Sequence, residues 1–264
     1  MAIRVLVNGA CGKMGRETCQ TIISDPELEL YIACDNNSAY LGKDIGDLLG
    51  TGSSGVTVEA DFPAALAKNP DVMIDFTHPS SVKTNIDAAI NAGVDCVIGT
   101  TGLTREDLKS IERAAAEHRV NVLVAPNFAI GAVLMMKMAE TAARYLTACE
   151  IIELHHDKKA DAPSGTALKT AESIGRGGDE RLKPGEAETR TGARGAVVKG
   201  VHIHSVRLPG LVAHQEVVFG GTGQTLTIRH DSIDRTSFMP GVILAVKKIK
   251  EHPGLTYGLD EFLD

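Results

Sequence analysis

Ile3-Arg-Val-Leu-Val-Asn-Gly9-Ala-Cys-Gly12-Lys-Met-Gly15 decides how the rest of this chain is read. An apolar run of strand character, Ile3 to Val7, breaks into glycines spaced GxxGxxG, and helical periodicity begins at Lys13. Glycines at these points allow a tight turn, close backbone approach to a pyrophosphate and close packing of a helix on a sheet. GxxGxxG is a relative of the dinucleotide fingerprint, and on its own it also suits a plain glycine turn. The context adds a second apolar run over residues 28–34, ending at Asp35, 20 residues after Gly15. A carboxylate there accepts hydrogen bonds from an adenosine ribose and repels a 2′-phosphate. Gly9, Ala10, Cys11, Gly12, Lys13, Met14 and Asp35 are therefore candidate cofactor contacts.

Working outward, short apolar runs alternate with helix-period segments, the pattern of βαβ units on a parallel sheet. Helices are expected over residues 13–24, 80–92 and 104–118, and further strands over 72–76, 95–99 and 121–125, with an irregular excursion at 36–55 that holds at most a short helical turn. Such a sheet binds its ligand beyond the carboxyl ends of its strands. Gly99, Thr100 and Thr101 end one strand with small side chains that leave room for a nicotinamide ring or a substrate. Thr104 and Asp107 then have the spacing of a capping box. Ala125, Pro126, Asn127 and Phe128 stand where the chain leaves the first domain, and the Asn127 amide suits a nicotinamide carboxamide or, equally, a turn.

After residue 127 the rhythm changes. A helix over 130–144 leads to a strand at 149–154, a polar loop and a helix at 164–174. A Gly-, Glu- and Arg-rich surface segment at 175–195 follows, then alternating strands at 197–207, 213–219 and 225–230, with turns at 208–210 and 220–223. An amphipathic helix over 238–251 returns to the first domain. The expected fold is α/β: a Rossmann-like doubly wound parallel sheet joined to a second α+β domain with a mixed or antiparallel sheet. The dinucleotide-binding domain is residues 1–127 completed by 238–264, and residues 128–237 form a substrate-binding and oligomerisation domain.

The polar loop carries the chemistry: Glu153-Leu-His-His-Asp-Lys-Lys-Ala-Asp-Ala-Pro-Ser-Gly-Thr-Ala167. His155 and His156 titrate near neutral pH, and Lys158 and Lys159 add positive charge. Ser164, Gly165 and Thr166 open a helix whose N–H groups, hydroxyls and positive end favour a carboxylate or phosphate. The group reads as a site for a small, multiply charged acid; the plain alternative is a polar surface loop.

The 264 residues are 43% hydrophobic and 23% charged, an ordinary globular composition. A formal charge of −7 disfavours a general binder of nucleic acid or anionic membrane. With no leader and no run long enough to span a bilayer, the protein is expected in the cytoplasm. Five cysteines without CxxC spacing indicate neither disulfides nor zinc. His202 and His204 share a strand face with His214 on a neighbouring strand, yet lack further ligands at metal-binding spacing, so no metal is expected.

The GxxGxMGR loop, the GTTG strand end, the PNF hinge and HHxxKxDAPSGTA together resemble the 4-hydroxy-tetrahydrodipicolinate reductase (dihydrodipicolinate reductase) family over nearly the whole chain. The resemblance implies a step of the diaminopimelate route to lysine: NAD(P)H reduction of a cyclic dicarboxylated imine to tetrahydrodipicolinate, by a homotetramer whose domains close around cofactor and substrate. It implies that His155 donates or accepts a proton with Lys159 as partner, that His156, Ser164, Gly165 and Thr166 bind the substrate dicarboxylate, and that the glycine turn, Asp35, residues 99–101 and residues 125–128 hold the cofactor. Asn36 and His78 depart from the family pattern, where an Arg is common. NADH is therefore expected to be favoured, with NADPH possible and Arg16 near enough to reach a phosphate. The rival readings are another two-domain Rossmann dehydrogenase of amino-acid metabolism and an NAD-binding regulator without turnover. An acyl-enzyme dehydrogenase would need a reactive Cys that the second domain does not offer beyond Cys149, and a regulator leaves the His-His-Lys-Lys cluster without a purpose.

Overall fold

The apolar runs of the N-terminal half become parallel strands in a computed structural model that describes residues 1–176 and 189–263. In chain order the first unit holds β1 (Ile3–Asn8), α1 (Lys13–Ser24), β2 (Leu28–Cys34), α2 (Ile45–Leu49), β3 (Val58–Glu59), α3 (Phe62–Leu66), β4 (Val72–Asp75), α4 (Val82–Asn91), β5 (Asp95–Ile98), α5 (Arg105–His118) and β6 (Val122–Val124). The second holds α6 (Ile130–Ala142), β7 (Ala148–His155), α7 (Gly165–Arg176), β8 (Ala196–Val198), β9 (Val201–Arg207), β10 (Ala213–Gly221) and β11 (Gln224–Ser232). The chain then returns to the first unit with α8 (Met239–Lys248) and β12 (Leu255–Tyr257). The units divide at Phe128 and Phe238, so Phe128 belongs to the first, one residue later than the expected boundary.

The first unit's seven strands run in the order β12-β6-β5-β4-β1-β2-β3, all parallel. Succession along the sheet reverses between β1 and β4, which opens a crevice at their carboxyl ends. Leu6, Met73, Cys96 and Val122 pack with Ile86 and Ile90 of α4 and Ile111 and Ala115 of α5. α1 and α8 lie together elsewhere in this unit, with the Thr18 hydroxyl 3.8 Å from Met239 Sδ. Fully burying each such aliphatic side chain contributes about 1.5–3 kcal/mol, which offsets the entropy of ordering the unit. α5 begins with the expected capping box between Thr104 and Asp107.

The second unit's sheet has the order β11-β10-β7-β9-β8. It is mixed, because β7 and β9 are parallel while the other pairs are antiparallel. Ile151, Glu153, Ile203, Gln215, Val217 and Phe219 are buried on the face that α6 and α7 cover. Glu150, Ile152, Leu154, His204 and Val218 alternate with them and remain partly exposed.

Several expectations are corrected. The strand expected at 197–207 is a hairpin: Lys199 and Gly200 both adopt positive φ (50° and 80°) and join β8 to β9. That is the two-residue turn that right-twisted strands prefer, and Lys199 hides it from a search for paired glycines. The turn expected at 220–223 is confined to Thr222 and Gly223, because Gly221 pairs with Gln224. The helix expected over 238–251 is α8 flanked by two 3-10 turns. β3, α3 and β12 were not anticipated; none exceeds five residues, too few to show a period. The expected surface segment at 175–195 falls largely on residues 177–188, outside the described residues.

Candidate active site and cofactor cradle

In the first unit, the turn after β1 is built on main-chain bonds. The N–H groups of Gly9 and Ala10 both donate to Cys34 O at 2.9 Å, and Gly12 N donates to Gly9 O at 3.0 Å. Gly9 has φ +82°, and a Cβ there would lie 2.5 Å from Phe76 O. A Cβ on Gly15 would lie 2.0 Å from Gly9 O, so the first turn of α1 packs directly on the loop. Gly12 caps α1 with extended backbone, no side-chain bond and no acidic residue in the first turn. The helix N–H groups are thus open to an anion, which is what a pyrophosphate requires.

Asp35 is tied to this turn. Its Oδ2 accepts from Cys11 N at 2.8 Å and its Oδ1 from Asn37 N at 2.9 Å. Arg16 is engaged elsewhere: Nε donates to Cys11 O at 3.0 Å, Nη1 to Leu48 O at 3.3 Å, and the guanidinium lies 5.0 Å from the Tyr40 ring centre. A small cavity of about 60 Å³ borders Thr100, Thr101, Ala125 and Pro126. Gly99 and Phe128 sit differently. A Cβ on Gly99 would strike the Phe76 ring, and Phe128 is buried edge-on to that ring at 6.0 Å, so both positions serve packing.

Asp75, which sequence reasoning passed over, is the hub beneath these strand ends. Fully buried at the end of β4, its carboxylate accepts from Asn8 Nδ2, Asn85 Nδ2, Thr77 N, Thr77 Oγ1 and Thr100 Oγ1 at 2.6–3.1 Å.

In the second unit, β7 ends in His155, whose Nδ1 lies 2.5 Å from Glu153 Oε2. Glu153 is fully buried and meets Arg207 of β9 through both guanidinium nitrogens, Nη1 at 2.9 Å and Nη2 at 2.8 Å. Ser164 N donates to Glu153 Oε1 at 3.2 Å. Burial alone would raise the Glu153 carboxyl, but hydrogen bonds from Arg207, Ser205 and His155 outweigh it and hold the group below its usual range. Burial lowers His155 below the ordinary imidazole value of 6.5; Glu153 opposes that fall, while the charges of Lys159 and Arg207 add to it. The balance favours the neutral form of the ring.

Lys159 Nζ lies 2.7 and 2.9 Å from the two Asp161 carboxylate oxygens. His156 and Lys158 are exposed. Ser164 is buried, and its hydroxyl accepts from Ala167 N at 3.2 Å, capping α7. Exposed Gly165 faces open space, and Thr166 is half-buried in the first helical turn. The histidines weighed for a metal are engaged instead: His202 with Arg194 O, His204 with Glu150 and His214 with Asp231. Among the described residues no cluster of His, Cys, Asp and Glu has metal-binding form, and no helix is long and apolar enough to cross a membrane.

Glu153 and Arg207 were also missed as partners of His155. Parity along β7 puts Glu153 and His155 on one face of the sheet, a usable signal; the pairing with Arg207, 54 residues away, needs the β7–β9 register.

A Rossmann sheet with an open glycine turn, joined to an α+β unit bearing a histidine on a buried carboxylate, a lysine and a helix that starts at exposed Gly165, defines a two-domain nicotinamide-dependent oxidoreductase. Residues 3–128 match the family described as dihydrodipicolinate reductase, N-terminus, and residues 131–263 its C-terminus. The 4-hydroxy-tetrahydrodipicolinate reductase of Syntrophomonas wolfei is 51% identical over 98% of both chains, and that of Geobacillus kaustophilus is 48% identical over 100% of both. A dipicolinate-bound dihydrodipicolinate reductase from Paenisporosarcina sp. TG-14 superposes with a TM-score of 0.88 at 45% identity over 99% of each chain. The chain belongs to the dihydrodipicolinate reductase family.

Proposed function

We propose that this chain catalyses the NAD(P)H-dependent reduction of 4-hydroxy-tetrahydrodipicolinate to tetrahydrodipicolinate in the diaminopimelate route of lysine biosynthesis, in the cytoplasm. The observation that carries this reading is the loop after β7, where His155 backed by buried Glu153, Lys159 and the exposed Gly165 at the start of α7 occur in a chain that matches the family over both halves. Bound in the first unit, the nicotinamide supplies the hydride. The protein's share is positioning and charge. His156, Gly165 and Thr166 hold the substrate carboxylates with α7's N–H groups, Lys159 stabilises developing negative charge and supplies a proton, and His155 accepts or returns one. Ser164 contributes chiefly by fixing the helix start. The test is loss of the nicotinamide absorbance band with freshly generated substrate. Silence from a folded protein that binds NADH would replace this reading with that of a regulator.

NADH is read as the favoured cofactor: Asp35 follows β2 beside the glycine turn, where a carboxylate suits an adenosine ribose, and the Arg16 guanidinium is held by main-chain carbonyls. Asp35→Ala combined with Asn36→Arg is expected to raise the NADPH-to-NADH ratio of kcat/KM by about tenfold or more, the worth of one charge-assisted contact. An unchanged ratio locates specificity elsewhere.

The assembly is a homotetramer. The face of the second sheet that α6 and α7 do not cover supports self-association, since among the described residues it carries a groove of about 520 Å³ lined by Ala148, Ile152, Val218 and His204. A monomer in sedimentation analysis overturns this part of the reading.

A further inference from the structure

We propose that Glu153 and Arg207 are positioning residues for the reaction: Glu153 holds the His155 ring by its Nδ1 edge, and Arg207 locks Glu153 to the loop that carries Lys159. This rests on the reading of His155 and Lys159 as the proton-handling pair. Each Glu153 oxygen receives at least two donors, His155 Nδ1 and Arg207 Nη1 on Oε2, and Arg207 Nη2 and Ser164 N on Oε1. The carboxylate is saturated and cannot turn without breaking several charge-assisted bonds at once.

Three parts of the site are thereby tied to one group. His155 is held on β7, the start of α7 is held through Ser164 N, and the intervening loop is held because Arg207 Nη2 also donates to Asp161 O at 2.6 Å. Asp161 in turn bears Lys159 on its carboxylate. Strand register makes the arrangement possible, since β9 places Arg207 directly beside His155.

Stability does not account for the pair. A buried ion pair gains little over apolar residues of equal volume, and Arg207 Nε is left buried without a hydrogen-bond partner among the described residues. Orientation of His155 accounts for it better. With an ionised carboxylate facing Nδ1, the neutral ring carries its proton there, and Nε2 is left as the edge that exchanges a proton. The charged groups facing the ring are Glu153 on its own strand, Arg207 on β9 and Lys159 on the following loop, while β10 presents Ala213.

Glu153→Gln keeps the shape and removes the charge. Its kcat is expected to fall by about 100-fold or more, toward the roughly 10⁴-fold loss seen when the carboxylate behind a catalytic imidazole is neutralised and the tautomer lost, with NADH affinity unchanged. Because Glu153 raises the proton affinity of His155, the acid limb of the kcat profile should move to lower pH. Nitrogen NMR of the unsubstituted protein should show His155 protonated on Nδ1; protonation on Nε2 overturns the proposal even if the variant fails to fold. So does a folded Glu153→Gln protein with unchanged kcat and acid limb. Should His155→Ala and Lys159→Ala abolish turnover in that case, only the positioning role falls; if those two keep full turnover, the reading beneath it falls as well.

Discussion

Lys159→Ala is expected to lower kcat by about two to four orders of magnitude, the range associated with loss of a positioned proton donor and charge stabiliser. The structure explains how a lysine that is already paired can matter. Lys159 is bound to Asp161, whose side chain is 60% exposed, and such a surface pair contributes only about 0–1 kcal/mol. An arriving substrate carboxylate therefore competes for Lys159 at small cost. Asp161, held below its usual carboxyl range first by its hydrogen bond from Lys159, acts as a placeholder. Asp161→Ala should consequently change kcat by less than about fivefold. NADH affinity should survive in Lys159→Ala, because the glycine turn and Asp35 belong to the other unit. Steady-state kinetics with a separate nucleotide titration checks both statements, and unchanged kcat in Lys159→Ala removes its catalytic role.

The sequence was most legible where one residue type has one physical use. Glycines between an apolar run and a helical period announced the β1–α1 turn, and the bounds expected for α1 and β2 coincide with those found. Thr104 and Asp107 announced α5 for the same reason. Legibility failed where the decisive partner is distant. Nothing near Glu153 in the chain shows that Arg207 will meet it, since that contact depends on a parallel register between non-consecutive strands. Ser164 carries a second use that its composition does not announce: its buried hydroxyl accepts from Ala167 N and caps α7. Gly99 likewise has a packing reason that its place at a strand end does not announce, since the space a side chain would occupy belongs to Phe76.

Asp75→Ala is expected to cost the first unit about 3 kcal/mol or more, because it strands buried donors rather than removing a contact. Asn8, Thr77, Asn85 and Thr100 all direct hydrogen bonds at this carboxylate from β1, α4 and the strand-end loops. Alanine leaves those donors in a site that Asp75 fills with zero exposure. For a unit of this size the loss corresponds to a fall in Tm of roughly 10 °C. The effect should extend to the cofactor, since Thr100 hydroxyl also accepts from Thr77 N at 2.8 Å and so joins the loops that follow β4 and β5. With Thr100 released, the cavity beside Thr101, Ala125 and Pro126 loses its floor, and NADH affinity should drop about tenfold or more. Asp75→Asn separates volume from charge: it fills the space but turns an NH2 toward donors, so it should fall between the two proteins in both Tm and affinity. Calorimetry with NADH titration decides the matter, and an Asp75→Asn protein indistinguishable from the parent on both measures would show that the carboxylate organises nothing.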